Sequence, residues 1–300
     1  MISVILWKKK QEKKEIEMDI KPRQVYSLLS IRNLYTVYHV SYSGGFSFSG
    51  ERHNFWEFSY IINGSIGCTA GDNVYICHAG DGVLHAPNQY HTMWVNEDSA
   101  CEIFTISFDG TGMEHRLEPG KYLLSDEEKR SVHGIIAEAE RLIERGSAVD
   151  FDELPSPSSA DQIEYQIIKS HLELICLSLL RKGRQLHGKP LSDAASLCYT
   201  KITAYLRDNI EKKLELDDIC RAVYESPAKV KTVFRRFTNG GVMNYFNQMR
   251  CEHIMRLLSE GNSVKKIADI MHFSSPYYLS YFFKRETGMT PQEYKKKLRG

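Results

Sequence analysis

Lysines, arginines and tyrosines recur at helical spacing in two related stretches near the end of this 300-residue chain. The first runs from Asp217 to Thr238 and the second from Lys265 to Thr287. Each has a short amphipathic segment, a turn, a Ser-Pro pair and a second segment ending in basic residues. Ser226 and Ser275 suit the N-cap, and Pro227 and Pro276 suit the first helical position, where the missing N–H costs nothing. In the first stretch Val230, Val233, Phe234 and Phe237 recur three and four residues apart, which predicts a buried face. The same spacing turns Ala228, Lys229, Lys231, Thr232, Arg235 and Arg236 outward. In the second stretch Leu279, Phe282 and Phe283 form the inner set, and Tyr277, Tyr278, Ser280, Tyr281 and Lys284 face out. Ile219, Ala222 and Val223, then Ile267, Ala268 and Met271, are the inner residues expected of the two leading helices. Cations near a helix end suit phosphate oxygens and the helix dipole. Lys231 has the reach for guanine edges, and tyrosines can pack on thymine methyls or donate through their hydroxyls. Two helix-turn-helix units in tandem imply double-stranded DNA gripped in two successive major-groove segments.

Charge supports that partner. The formal net charge is +1, but residues 195–300 hold 19 Lys/Arg against 11 Asp/Glu, leaving the remainder at −7. A basic third joined to an acidic remainder fits a nucleic-acid module attached to a second unit. Lys295, Lys296, Lys297 and Arg299 extend the basic end; a solvated helix end fits them equally well.

The segment from about Lys201 to Leu298 resembles the DNA-binding domain of AraC/XylS-family transcription regulators. The matching residues are Ile267-Ala268, Phe273, Tyr278, Phe283-Lys284-Arg285, the run Thr287 to Pro291, and Tyr294. Val242 to Leu258 is similar to the family's helix between the units. By motif position the resemblance assigns base contacts to Ala228, Lys231, Thr232, Tyr277, Tyr278, Ser280 and Tyr281, and phosphate contacts to Arg235 and Lys284. The chain departs from the family at the turns, where Tyr224 and His272 replace the usual glycines and Asn239 stands where Gly288 stands in the second unit. Tyr and His resist the left-handed backbone that glycine allows.

From about Tyr35 to Asp109 the period falls to two. Phe55–Ile62, Val74–Cys77 and Cys101–Phe108 read as strands, with turn signals at Asn63-Gly64, Gly71–Asn73, Ala79–Asp81 and Pro87-Asn88, a pattern that suggests a small barrel or sandwich. The segment resembles the cupin-like sensor domain that precedes this DNA-binding domain, through His53, Glu57, Gly64, Gly80-Asp81, Pro87 and His91. Metal-binding cupins use two His and a Glu followed by a later His; here Glu51 occupies the first His position. The resemblance leaves Glu51, His53, Glu57 and His91 to hold a ligand by hydrogen bonds, or as a mixed O/N set for a divalent metal. The expectation is that they bind no metal or other cofactor. With Phe55 and Trp94 they form the expected ligand-binding set, since polar groups beside aromatic faces suit a small polar effector such as a sugar. Alternation puts His53, Phe55, Glu57 and Ser59 on one face and Trp56, Phe58 and Tyr60 on the other; which face is the pocket stays open.

Ser125 opens a helix running to about Arg145, and a second, Gln162 to Arg181, carries Ile163, Ile167-Ile168, Leu172, Ile175, Leu179 and Leu180. In the family such helices serve dimerisation, so a homodimer is expected; packing onto the barrel is the other use of the stripe. The fold class is therefore α+β in two domains. The expected divisions are an unstructured extension over 1–20, a cupin-like β-barrel over 21–124, a helical dimerisation region over 125–181, a linker over 182–194 and an all-α DNA-binding domain over 195–300.

No phosphate loop or nucleophile constellation is present, so no enzyme is expected. The rival readings are a metal-dependent cupin enzyme joined to a DNA-binding domain, and a constitutive regulator with a ligand-free barrel. Seven scattered cysteines without a C-x-x-C pair suit a reducing cytoplasm. No apolar run approaches the ~20 residues of a membrane span, and Met1–Trp7 makes a poor signal peptide.

Overall fold

The computed structural model describes residues 23–114, 116–144, 161–182, 190–238 and 240–297. The expected extension over 1–20, the Pro155–Ser159 break, most of the linker, Asn239 and Arg299 fall outside them.

Among the described residues, eight strands come first: β1 (Ser30–Tyr42), β2 (Ser47–Glu51), β3 (Trp56–Ala70), β4 (Asn73–His78), β5 (Asp81–His85), β6 (His91–Trp94), β7 (Cys101–Thr111) and β8 (Gly120–Leu123). All pairings are antiparallel, and β3 is shared. Residues Trp56–Gly64 of β3 pair with β7, its first residues also with β5, and Ser65–Ala70 pair with β4. Asn63-Gly64, expected as a turn, is instead a bend inside this one strand. The register shifts between Ile61 and Asn63, and Gly64 has φ +74°. A Cβ on Gly64 would sit 1.9 Å from the Ala100 carbonyl, so only glycine permits the bend.

Two helices, α1 (Asp126–Glu144) and α2 (Gln162–Lys182), cover one face. Trp56, Phe58 and Tyr60 share a core with Val132, Ile135, Leu142, Ile168, Leu172 and Ile175 beneath them. The alternation of β3 is thereby resolved: the aromatic set packs under the helices, and Glu57 and Ser59 face the barrel interior. Glu128 ties the helices together, accepting from Ser178 Oγ at 2.6 Å, from Lys182, and from its own N-cap Ser125 N at 2.7 Å.

Among the described residues, seven helices follow: α3 (Ala194–Asp208), α4 (Leu216–Val223), α5 (Pro227–Thr238), α6 (Val242–Ser259), α7 (Val264–Ile270), α8 (Pro276–Thr287) and α9 (Pro291–Lys297). The pairs α4/α5 and α7/α8 are the two helix-turn-helix units, and α6 joins them. The expected inner residues are buried, with one exception: Ala222 is exposed and Cys220 takes its place. Arg250 of α6 is buried under the second unit. It donates to the Met271 carbonyl at 2.8 Å and lies 4.6 Å from the Phe273 ring centroid. That carbonyl belongs to the end of α7, where the helix leaves its last acceptors unpaired.

Both turns carry the backbone the sequence departures call into question. Tyr224 has φ 56° and His272 φ 52°, in the left-handed region. Tyr224 is 93% exposed, so packing does not repay the strain. Replacing either residue with glycine should stabilise the chain by about 0.5–1 kcal/mol, the left-handed penalty less glycine's extra chain entropy. Thermal denaturation checks this; a lower Tm for Tyr224→Gly would show that the side chain makes a compensating contact.

Candidate sensor chamber and nucleic-acid face

Glu51 ends β2 and His91 begins β6, and the two residues are register partners. His53 sits in the loop before β3, and Glu57 is the second residue of that strand. The ligating atoms of Glu51, His53, Glu57 and His91 all lie within 4.8 Å of one another. The approaches are 3.5 Å for His53 Nε2 to Glu57 Oε2, 3.4 Å for His91 Nε2 to Glu57 Oε1 and 3.6 Å for His91 Nε2 to Glu51 Oε1. These distances are long for hydrogen bonds. His53 Nε2, Glu57 Oε1 and His91 Nε2 are buried with no hydrogen-bond partner. The opposite ring nitrogens are engaged: His53 Nδ1 lies 2.9 Å from the Phe55 carbonyl and His91 Nδ1 3.0 Å from the Gln89 carbonyl. A carbonyl can only accept, so Nδ1 carries the proton and Nε2 of each ring is left to face the centre.

Electrostatics follow from this crowding. Burial would raise the Glu57 carboxyl, but the His53 and His91 rings outweigh it and hold the group well below the usual carboxylate range. Burial opposes protonation of His91, yet Glu51 and Glu57 push it up to about 9. His85, stacked on His91 at 4.1 Å, moves the other way: burial and the His91 charge hold it well below the ordinary histidine value. Sequence reasoning missed His85; its pairing opposite Glu57 in the β3–β5 ladder is what brings it here.

Glu51, His53 and Glu57 border a cavity of about 520 Å³, lined also by Thr36, Tyr38, His39, Phe48, Phe55 and Met93, with His91 fully buried behind them. Phe55 stacks between Tyr35 at 4.3 Å and His53 at 4.0 Å. Five of the six expected ligand-binding residues therefore gather at one place. Trp94 does not. Its indole lies over the Gly67 backbone and 5.5 Å from the Phe237 ring, on the outer side of β6. The four ligating residues could hold a divalent cation through two carboxylates and two imidazoles.

On the helical domain, Ala228, Lys229, Lys231, Thr232, Arg235 and Arg236 of α5 are all exposed. Lys229 pairs with Glu225 at 2.6 Å, and Arg236 lies over the Phe237 ring at 5.0 Å. Lys231, Arg235 and Lys284 have no ion-pair partner among the described residues, which leaves them free for phosphate. Tyr277, Tyr278 and Tyr281 of α8 are 81%, 49% and 57% exposed, although three aromatic side chains could have been buried. Ser280 is half-buried and donates to the Pro276 carbonyl at 2.8 Å, so its hydroxyl is partly committed.

A barrel with a polar chamber, followed by two helix-turn-helix units with free cations and exposed tyrosines, defines a ligand-binding and DNA-binding protein of two domains. Comparison with known proteins agrees. An AraC-like ligand binding domain matches residues 34–153 and a helix-turn-helix domain matches residues 219–297. The chain is 21% identical over 256 residues to the uncharacterized HTH-type transcriptional regulator YisR of Bacillus subtilis (strain 168), covering 82% of this chain and 89% of that protein. It is 25% identical over 119 residues to the melibiose operon regulatory protein of Escherichia coli (strain K12), a match spanning 39% of each. Among solved structures, ToxT from Vibrio cholerae aligns over 89% of this chain and 100% of its own, at 15% identity and a TM-score of 0.35. The chain belongs to the AraC family of DNA-binding transcription regulators.

Proposed function

We propose that the barrel binds a small polar effector, a carbohydrate, in the chamber around Glu51, His53, Glu57 and His91, and that binding alters DNA recognition by the two units. One observation carries this reading: three buried polar atoms without hydrogen-bond partners converge beside a stacked aromatic face. Buried polar groups are normally hydrogen-bonded, and a polyol supplies both donors and acceptors. The melibiose operon regulatory protein is named for a sugar system, which supports the same choice. Sequence is read by Ala228, Lys231, Thr232, Tyr277, Tyr278, Ser280 and Tyr281, with phosphate held by Arg235 and Lys284. The remaining cations of α5, Lys229 and Arg236, add attraction to the duplex. The role is that of a regulator rather than an enzyme, carried out in the cytoplasm; among the described residues no helix is long and apolar enough to cross a membrane.

A thermal-shift screen against melibiose, raffinose and common monosaccharides tests the chamber. A sugar at a hundred times its Kd stabilises the fold by ~2.7 kcal/mol, a rise of several degrees in Tm. The rise should vanish in His91→Ala. If the panel produces no shift in the intact protein, the carbohydrate reading fails. A divalent cation is the second reading, favoured by the four ligating atoms within 4.8 Å. It requires Zn²⁺ or Mn²⁺ to raise Tm and a chelator to reverse the effect.

The homodimer is read from α2. Ile163, Ile167, Ser170, Leu174 and Leu177 follow one another at alternating steps of four and three residues, as on a coiled-coil seam. Ile163 is 70% and Leu174 57% exposed, while Ile168, Leu172 and Ile175 of the same helix are already buried against the barrel. Packing within the chain therefore uses one stripe and leaves a second. Leu174→Glu should convert a dimer to a monomer in sedimentation velocity without lowering Tm. An unchanged sedimentation coefficient would remove α2 from the interface.

A further inference from the structure

We infer that the chamber acts on DNA through the first helix-turn-helix unit and the helix that joins it to the second, because two of the strands that wall the chamber hold these elements on their reverse face. The inference rests on the barrel being the sensor, as proposed above.

Successive side chains of a strand point to opposite faces. In β6, His91 and Met93 face the chamber, whereas Thr92 and Trp94 face the helical domain. Thr92 Oγ1 donates to the Phe237 carbonyl at 2.6 Å. That carbonyl lies in the last turn of α5, where the helix has no donor of its own to offer, so a sensor-strand hydroxyl caps the first unit's reading helix. Thr92 is itself fixed by β3, its N–H donating to Thr69 Oγ1 at 3.0 Å. The same alternation operates at the end of β2. Glu51 faces the chamber, and the next residue, Arg52, forms an ion pair with Glu252 of α6. Between the two strands, Tyr90 meets Tyr245 of α6 edge-on at 4.7 Å.

Packing shows the same asymmetry. The core of the first unit includes Val74 and Tyr90 from the barrel along with Ile219, Phe234, Phe237 and Tyr245. The core of the second unit, from Cys251 through Phe283, includes no barrel residue among those described. A ligand that moves Glu51 or His91 therefore moves Arg52 or Thr92 by the connectivity of the backbone, and these residues hold α5 and α6. Among the described residues, helices α7 and α8 pack on α6 and α9 and share no core with the barrel. Occupancy should thus set the placement of the first unit against the second, which is a differential contact of the kind coupling requires.

Hydrogen exchange of the full chain by mass spectrometry tests this without knowledge of the effector. Glu51→Gln perturbs the chamber mildly, and Thr92→Val and Arg52→Gln break the reverse-face contacts. All three are expected to speed exchange of α5 and of α6 as far as Glu252 by threefold or more and to leave α8 unchanged. In the combined Glu51→Gln, Arg52→Gln protein the chamber substitution should add nothing further to the exchange of α5 and α6. Equal change in α8, or full additivity, overturns the proposal. Exchange in β3 and β7 reports whether Glu51→Gln has unfolded the barrel. In that event Arg52→Gln decides: unchanged protection of α5 and α6 overturns the proposal. These outcomes are independent of the sugar screen, so a missing sugar response and a missing mechanical link are told apart.

Discussion

Replacing Glu57 with alanine should destabilise the protein by about 3–5 kcal/mol and abolish effector binding at the same time. Glu57 is 2% exposed and stands between His53 and His91. Its ionised carboxylate is what lets His91 hold a proton in a buried site. Removal of one partner of a buried charged pair leaves the other uncompensated, and that penalty is of this size. Glu57→Gln should cost less, because the amide keeps the volume and one acceptor, yet it should still weaken binding. Denaturant titration of both variants measures the first effect, and the sugar panel the second. A destabilisation below about 1 kcal/mol for Glu57→Ala would mean that His91 is neutral in the folded protein and that the cluster is not organised around a charged pair.

Lys231→Ala combined with Arg235→Ala should lower DNA affinity by an order of magnitude or more at moderate salt and flatten its salt dependence. Both side chains are exposed on α5 and lack carboxylate partners among the described residues, whereas Lys229 is tied to Glu225. Removing one cation from a phosphate should reduce the slope of log K against log salt by about 1. The two residues separate by specificity. If Lys231 reads a guanine edge, its removal should also cost about 1–3 kcal/mol of discrimination at one base pair, while removal of Arg235 should weaken all sequences alike. Fluorescence anisotropy over a salt series distinguishes the cases. An unchanged slope would place these cations away from the duplex.

The helical domain is largely legible in the sequence, since a helix with one apolar stripe fixes both its inner and its outer residues. The pattern misplaces Ala222 because α4 spans only eight residues and Cys220 fills the same interior as well. The chamber is legible as a set of residues, but its missing and surplus members are not. His85 joins by register across β3 and β5, which one strand's pattern does not carry. The chemistry of Trp94 suits a chamber, yet strand parity sends it to the face opposite Met93. Asn63-Gly64 has the composition of a turn, and only the close approach of the Ala100 carbonyl explains why a glycine is needed inside a strand. The contacts of Arg52, Tyr90 and Thr92 with α5 and α6 join residues 145 or more positions apart, and no local pattern marks them.

Selection of binding sites from a random duplex pool by the full chain tests the central claim most directly, that this protein reads DNA through two units. The expected result is a site with two preferred elements one helical turn, about 10 base pairs, apart. Lys231→Ala should relax the preference in one element, and Tyr281→Ala in the other. Failure to enrich any sequence, or a single element that ignores both substitutions, would contradict it.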